Sequence, residues 1–276
     1  MKEEEAYSIL DIISESDGQS VILTRSGSIC IPFELRQPEC YSLSPEEIDE
    51  RDGMYREAFR HMPDGTYVHK QDVFLKKEYH PGKGTGSFLD RADARHFEGR
   101  LYIDHTCILH FVLAGLKSLE KAYVSSPLAY KEHLHREDYR KLEAFLEGVD
   151  NAVSILQNMR GNSVLPMSCE GISGFTRAYS GLFGDTDAVV DIHVDGSLHV
   201  GKNHARCYAV CDETFLPEGN IESYVRDESL PPAASQLYHP LMEQLGMYLP
   251  YNHIVNQVIY FEGNERLRSR IARNID

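Results

Sequence analysis

Apolar and polar positions near the start of the chain alternate in the patterns of strands and a helix. Residues 20–35 (SVILTRSGSICIPFEL) contain two β-branched runs around RSGS, which predicts a β-hairpin that turns at Gly27. Residues 44–62 begin with the signals of a helix start. Ser44 can act as N-cap, Pro45 fits the first helical position, and Glu47 can complete a capping box. The pattern therefore predicts a hairpin followed by one helix.

Two long strands with a short helix between them are predicted next. Residues 67–79 follow a turn at Asp64-Gly65, and residues 101–115 (LYIDHTCILHFVLAG) form the second strand pattern. Between them, residues 87–100 (SFLDRADARHFEGR) have Ser87 as helix cap and Asp90 as the acid at the third position. The ββαβ-type opening of the chain indicates an α/β or α+β fold, with helices packed on a mixed or antiparallel sheet.

The longest predicted helix covers about residues 135–159. Its apolar positions recur at helical spacing, and Gly161 supplies the stop signal. These positions are Tyr139, Leu142, Phe145, Val149, Val153 and Leu156. Beyond it the sequence predicts a short helix at 174–183, a hairpin that turns at Asp195-Gly196, strands at 205–215 and 252–261, and a final basic helix.

Two domain arrangements fit these elements. The chain can form one domain over residues 1–276, or a first α/β half at 1–134 and a second half at 135–276 that joins the long helix to further strands. The final basic helix reaches Asp276 without a glycine or proline stop signal. We therefore expect a larger natural protein, of which this is the amino-terminal domain.

Composition and charge restrict the classes of partner. The 276 residues include 43 acidic and 28 basic side chains, a net charge of −15 that disfavours direct nucleic-acid binding. Six scattered cysteines without a dense framework indicate a reducing compartment. The longest apolar run, residues 107–116, is too short to span a membrane, and the acidic start is not a secretory signal. A cytoplasmic location is predicted.

No catalytic motif is evident in the sequence. The glycine-rich segment 81–87 (PGKGTGS) lies between a predicted strand and helix, but Gly84 follows Lys83 where a phosphate-binding loop needs serine or threonine. We expect a flexible loop there instead of a nucleotide site. The sequence also has no G-x-S-x-G, H-E-x-x-H or C-x-x-C motif. We therefore predict no catalytic and no cofactor-binding residues in this chain.

Histidines and cysteines cluster in the second half without the spacing of a structural zinc site. The cluster contains His193, His199, His204, Cys207 and Cys211. A two-residue turn at Asp195-Gly196 would pair His193 with Leu198 and place His199 on the opposite side of the sheet. Cys207 and Cys211 have C-x3-C spacing within a predicted strand, which lacks the turn of a zinc knuckle. The sequence therefore predicts no metal site.

An ordered set of segments carries a family resemblance. Residues 62–75 (MPDGTYVHKQDVFL), 87–100 (SFLDRADARHFEGR) and 251–261 (YNHIVNQVIYF) resemble the amino-terminal region of the TraG-family conjugation ATPases of Bacteroides-type conjugative transposons. These proteins are motors of type IV secretion systems. Weaker similarity in SGSICIPFEL, GKNHARCYAV and NERLRSRIARN extends the resemblance over nearly the whole chain.

The resemblance implies a non-catalytic docking and assembly domain for conjugative DNA transfer. The family's Walker A and B motifs belong to a carboxy-terminal motor domain that this sequence lacks, so ATP and Mg²⁺ are expected only there. Expected partners are that ATPase domain and inner-membrane channel subunits, with homo-oligomers in the full-length protein and a location at the inner membrane. A free-standing scaffold protein and a hydrolase with a site outside known motifs are the alternatives.

Residues 87–100 are the candidate docking surface. Its arginines, Arg91, Arg95 and Arg100, could bind carboxylates of a neighbouring domain or channel subunit. In the alternative interpretation the segment is an ordinary helix, anchored on the sheet by its apolar side chains. Those side chains are Phe88, Leu89, Ala92 and Phe97. The preceding glycine-rich loop is expected to be mobile.

Overall fold

The computed structural model describes residues 9–14, 18–38, 44–81, 87–116, 136–184, 192–210, 225–226, 238–239 and 249–263. The helices are α1 (Pro45–Phe59), α2 (Phe88–Phe97), α3 (Arg136–Asn158) and α4 (Cys169–Ser180). The strands are β1 (Ile9–Ser14), β2 (Ser20–Thr24), β3 (Ile29–Arg36), β4 (Thr66–Glu78), β5 (Leu101–Leu113), β6 (Ser163–Pro166), β7 (Ile192–Val194), β8 (Leu198–Val200), β9 (Asn203–Ala205), β10 (Val225–Arg226), β11 (Tyr238–His239) and β12 (His253–Tyr260). These elements form an α+β fold, as predicted.

A seven-stranded antiparallel sheet is the centre of the fold. Its order is β1-β2-β3-β5-β4-β12, and β6 pairs with β3 beside the β2 pairing. Two small sheets, β7-β8-β9 and β10-β11, lie outside this path. Because β6 and β12 belong to residues 135–276 and pair with strands of residues 1–134, the main sheet crosses the boundary between the two predicted halves.

The predicted opening of the chain is confirmed. The hairpin of β2 and β3 turns at Gly27, whose φ of 76° is a left-handed conformation that glycine adopts without strain. In α1, the Ser44 hydroxyl accepts a hydrogen bond from the Glu47 amide, and the Glu47 carboxylate accepts one from the Ser44 amide. The edge strand β1 precedes these elements and was not predicted.

The core lies between the main sheet and the helices α1 and α3. Phe111 of β5 is fully buried and contacts Phe33 and Phe59 edge-on, with ring centroids 5.8 and 6.3 Å apart. From α3, the residues that face this core are Phe145, Val149, Ala152 and Leu156. Phe145, Val149 and Leu156 belong to the apolar stripe that the sequence pattern predicts, whereas Ala152 was not among its positions and the predicted Val153 is only partly buried.

The start of α3 departs from the predicted core face. Tyr139 is more than half exposed, whereas Leu142 is only partly buried. Leu142 packs against the core, and the fully buried apolar side chains of α3 begin at Phe145. At the other end Gly161 has a φ of +82°, in agreement with the predicted helix stop.

The second half differs from prediction in its short elements. Helix α4 begins at Cys169, several residues before the predicted segment 174–183, because Ser168 caps it by accepting from the Gly171 amide. Residues 206–210 form no strand, and the remainder of the predicted strand at 205–215 lies outside the described residues. The glycine-rich residues 82–86 and the final basic helix also lie outside them.

Within the part of the chain that the structure describes, no helix is both long enough and apolar enough to cross a membrane.

Candidate functional site

The candidate docking residues lie on a hairpin arm, which we define as residues 76–81 and 87–103. Strands β4 and β5 pair over their whole length, from Thr66 opposite Leu113 to Glu78 opposite Leu101. Their inner parts lie in the centre of the sheet, whereas the outer ends of both strands are exposed. Helix α2 lies in the connection between these outer ends. The arm therefore presents α2 away from the core.

Local hydrogen bonds close α2 at both ends. The Ser87 hydroxyl accepts from the Asp90 amide at 3.3 Å, and Asp90 Oδ2 accepts from the Ser87 amide at 2.7 Å. These hydrogen bonds to Ser87 lower the pKa of Asp90. After the helix, the Gly99 amide donates to the Tyr79 carbonyl, and the Tyr79 amide donates to the Arg100 carbonyl. The predicted capped helix is thus confirmed and is tied to the outer end of β4.

The predicted anchoring of this helix on the sheet is wrong. None of the α2 side chains is buried: Phe88 is 77% exposed, Leu89 70% and Phe97 47%. Ala92 is exposed as well. The ring of Phe97 contacts those of Tyr79 and His96 edge-on, at centroid distances of 6.4 and 4.9 Å. The helix lies at the tip of the arm and not beside the core. Its apolar side chains therefore have no core surface to pack against.

Two of the three candidate arginines share a face with an exposed aromatic ring. Phe88, Arg91 and Arg95 have i, i+3, i+7 spacing, which places them on one side of α2, and all three are exposed. We call this the arginine face. Neither Arg91 nor Arg95 forms an ion pair within the described part of the chain. Arg100 lies apart from them, with its guanidinium carbon 5.4 Å from the centre of the Phe97 ring.

A second arrangement, which we call the polar cluster, consists of Lys70, Asp72 and His105 on one face of β4 and β5. Asp72 has only 7% of its side chain exposed, and its Oδ1 accepts from His105 Nε2 at 2.9 Å. Lys70 Nζ donates to the other carboxylate oxygen. Burial acts to raise the pKa of Asp72, but these hydrogen bonds and the nearby positive charge outweigh it and hold the pKa below its ordinary value.

Three rings stack beside this cluster. Phe74 lies between His105 and His253, with centroid distances of 4.5 and 4.7 Å and nearly parallel planes. The rings come from β5, β4 and β12, so the stack crosses three neighbouring strands. His253 Nδ1 donates to the Tyr251 carbonyl at 2.8 Å, and its buried Nε2 has no hydrogen-bond partner among the described residues.

The chemistry open to the polar cluster is limited by its neighbours. Cys107 faces the same side of the sheet, but burial raises the pKa of its thiol to about 12 and keeps it protonated at neutral pH. Burial also raises the pKa of the Tyr55 hydroxyl. An imidazole oriented by a carboxylate can transfer protons, yet the described residues place no activated nucleophile beside it. We expect the cluster to stabilise the β4–β5 pairing.

His105 is not paired with the acid that precedes it in the sequence. Asp104, which precedes it, points to the other face of the sheet and pairs with Lys77 at 2.5 Å. The actual partner, Asp72, lies 33 residues earlier. The period-two pattern of Lys70, Asp72 and Phe74 in β4 was the available signal. It becomes informative only when the pairing register with β5 is known.

The opposite face of the sheet carries a partly buried imidazole. His110 of β5 stacks on His69 of β4 at a centroid distance of 5.2 Å, and its Nδ1 lies 3.7 Å from Cys30 Sγ. Burial, together with the neighbouring His69, lowers the pKa of His110 to about 4. His110 is therefore neutral at physiological pH. His69 in turn contacts the Asn256 side chain of β12 at 2.8 Å.

The predicted register of the β7–β8 hairpin is wrong. The loop contains three residues instead of two: Val194 pairs with Leu198, and His193 pairs directly with His199. Gly196, with a φ of +66°, allows this longer loop, in which the Asp195 amide donates to the Ser197 carbonyl. The shift by one residue brings His199 to the same side of the sheet as His193.

The corrected register creates a histidine ladder, His193, His199 and His204, on three neighbouring strands. The rings of His193 and His199 stack in parallel at 4.6 Å, and His204 follows at 5.9 Å. As the rings are placed, no three metal-ligating side chains of the described residues converge on one point. Cys207 is exposed after β9, and Cys211 lies outside the described residues.

Comparisons with known proteins identify no relative of this chain. No protein-family model matches the chain, and no curated protein matches it. The resemblance to the TraG-family motors therefore stays a prediction that depends on the ordered segments of the sequence.

Replacement of Asp72 by asparagine should lower the free energy of unfolding at pH 7 by about 1–3 kcal/mol, because it weakens two hydrogen bonds of a buried acceptor. The folded pKa of Asp72 lies below its unfolded value, so its stabilisation is complete above the unfolded pKa and is lost as pH falls through the folded pKa. Urea unfolding at pH 7 and pH 3 should therefore show a smaller difference between variant and natural chain in acid.

The matched control is Asp104→Asn, which removes an exposed ion pair with Lys77. Exposed pairs contribute about 0–1 kcal/mol, so this variant should remain close to the natural chain. Equal stability of Asp72→Asn and the natural chain at pH 7 would show that the polar cluster does not stabilise the sheet.

Proposed function

We propose that this chain is a non-catalytic docking and assembly domain at the amino terminus of a type IV secretion ATPase of the TraG type. The observation that carries the docking role is the hairpin arm, whose helix is capped at both ends of its backbone yet buries no side chain. Local order without burial is typical of a surface that is completed by a partner.

The positions of the resembling segments support this proposal. Residues 62–75 include most of β4, residues 87–100 include α2, and residues 251–261 include β12. Strands β4 and β12 are hydrogen-bonded neighbours, and α2 follows the outer end of β4. Segments that lie far apart in the sequence thus form one continuous region of the fold. Chance similarity would not be expected to fall on segments that are neighbours in the fold. Segments that share a functional surface would be neighbours.

Charge favours an acidic partner surface for the arginine face. Arg91 and Arg95 are exposed and flank Phe88 on a chain whose net charge is −15. Each planar guanidinium can bind a carboxylate through two hydrogen bonds, while the ring of Phe88 supplies apolar contact area. The proposed partners are the motor's own carboxy-terminal ATPase domain and channel subunits at the inner membrane. Direct nucleic-acid binding is expected to be weak.

The hydrolase alternative finds limited support in the polar cluster. His105 is oriented by Asp72 as in general-base pairs, but the neighbouring Cys107 is protonated and buried. A free-standing scaffold would use the same arm as the proposed docking domain. The two differ in whether the natural protein continues into a motor with a G-x-x-x-x-G-K-[ST] loop.

Reversal of two charges on the arm tests the docking role. In the full-length protein, Arg91→Glu with Arg95→Glu should fold normally, because both side chains are exposed. DNA transfer from donor cells should fall by about tenfold or more, since a loss of about 1.4 kcal/mol in docking changes affinity tenfold. Mating frequency is the measurement, with the protein level checked in the same cells.

The control is Arg136→Glu with Arg140→Glu, which reverses two exposed arginines at the same spacing on α3. This variant should transfer DNA at the natural frequency. If the α2 variant folds and transfers DNA as well as the control, the arginine face is not the docking surface. A transfer defect of equal size in both variants would indicate a general effect of charge.

A further inference from the structure

We infer that the histidine ladder binds a divalent transition-metal ion such as Zn²⁺ or Cu²⁺. His193, His199 and His204 occupy directly paired positions on β7, β8 and β9. Side chains at paired positions of antiparallel strands lie on the same face and within contact distance. The three imidazoles therefore form a row across one face of the small sheet, with ring centroids 4.6 and 5.9 Å apart.

The ligand chemistry fits this class of ion. Neutral imidazole is a good ligand for zinc, copper and nickel, whereas magnesium and calcium prefer oxygen. Three histidines leave coordination positions for water or another ligand, as in known three-histidine zinc sites. His193 and His204 are exposed and His199 is half-buried, so an ion can reach the rings from solvent. The net charge of −15 favours the approach of cations.

Binding requires the rings to leave their stacked arrangement. The planes of His193 and His199 differ by only 1°, so their nitrogen atoms do not converge on one point. Exposed side chains exchange rotamers within nanoseconds, and the strands already fix the spacing of the three rings. Rotation about the side-chain torsions can therefore turn one nitrogen of each ring toward a common ion without movement of the backbone.

Ser197 orients the central ligand. Its hydroxyl lies 2.9 Å from His199 Nε2, so this hydrogen bond leaves Nδ1 of the same ring free for a metal ion. Metal-ligating histidines commonly have their second nitrogen held by a hydrogen bond of this kind. The alternative role of the ladder is purely structural, in which the stacked rings only stabilise the three short strands.

Metal titration of the purified chain distinguishes these roles. Calorimetry with Zn²⁺ and visible absorbance with Cu²⁺ should each show a saturable site in the natural chain. His199→Ala should weaken the binding of both ions by about tenfold or more. Replacing a residue that only orients a ligand already costs about tenfold, and loss of a ligand itself should cost at least as much. His61→Ala, which removes an exposed histidine on a different element, should bind both ions as the natural chain does.

A second variant protects the test against misfolding. His193→Gln changes an exposed ring whose contact is stacking, and it should also weaken metal binding while the circular dichroism spectrum is unchanged. The inference is overturned if the natural chain binds neither ion, or if both ladder variants bind them as tightly as His61→Ala does.

Discussion

Replacement of Phe111 by alanine should lower the free energy of unfolding by about 3–5 kcal/mol, the range for large aromatic truncations in a core. Phe111 is fully buried in β5 and contacts Phe33 and Phe59 at the junction of the sheet and α1. Alanine would leave a cavity lined by these two rings, and their edge-on contacts would also be lost. Urea unfolding followed by circular dichroism measures the change.

Phe88→Ala makes the same chemical change at the tip of the hairpin arm. Because Phe88 is 77% exposed, we expect a change in stability within about 0.5 kcal/mol. Phe97→Ala should fall between the two variants, since Phe97 is partly covered by Tyr79 and Arg100. A loss at Phe88 as large as that at Phe111 would mean that α2 is part of the core after all.

Acidification from pH 6.5 to pH 4 should destabilise the protein through His110 by about 3 kcal/mol. The folded pKa of His110 is about 4, against an ordinary value of 6.5. Between these values the unfolded chain binds a proton at this residue and the folded chain does not. Stability therefore falls as pH decreases through the window. The cause is burial of the ring near Cys30 and His69, which disfavours its charged form.

His110→Phe should remove this dependence, because it retains a ring that can stack on His69 and has no titrating group. The test is the difference in unfolding free energy between natural chain and variant, measured in urea at several pH values from 6.5 to 4. Other titrating groups cancel in this difference. A difference that stays constant across the window would show that His110 remains accessible to protons in the folded protein.

Sequence reasoning succeeded where structure is set by near neighbours. The capping boxes of α1 and α2 each involve residues three positions apart, Ser44 with Glu47 and Ser87 with Asp90. Such contacts need no knowledge of the rest of the fold. The failure at Phe88 has the opposite origin, since amphipathic spacing does not reveal whether a core lies beside the helix.

Register was the other limit of sequence reasoning. One additional loop residue at Ser197 reversed the predicted face of His199, because side chains alternate with a period of two in strands. The pair of Asp72 and His105 depends on the register of two strands whose connection contains α2. Neither the length of that connection nor its composition fixes which residues become partners.

The length of β4 determines how the hairpin arm would carry a mechanical load. Thirteen residues at about 3.3 Å each make a rod roughly 40 Å long. The rod is clamped by β5 along its whole length and by β12 from Tyr67 to Phe74, while its outer end holds α2. A load applied at α2 would therefore bend the rod beyond Phe74, which pairs with the first residue of β12, His253. The backbone hydrogen bonds between β4 and β12 would transmit this load from the hairpin arm to β12.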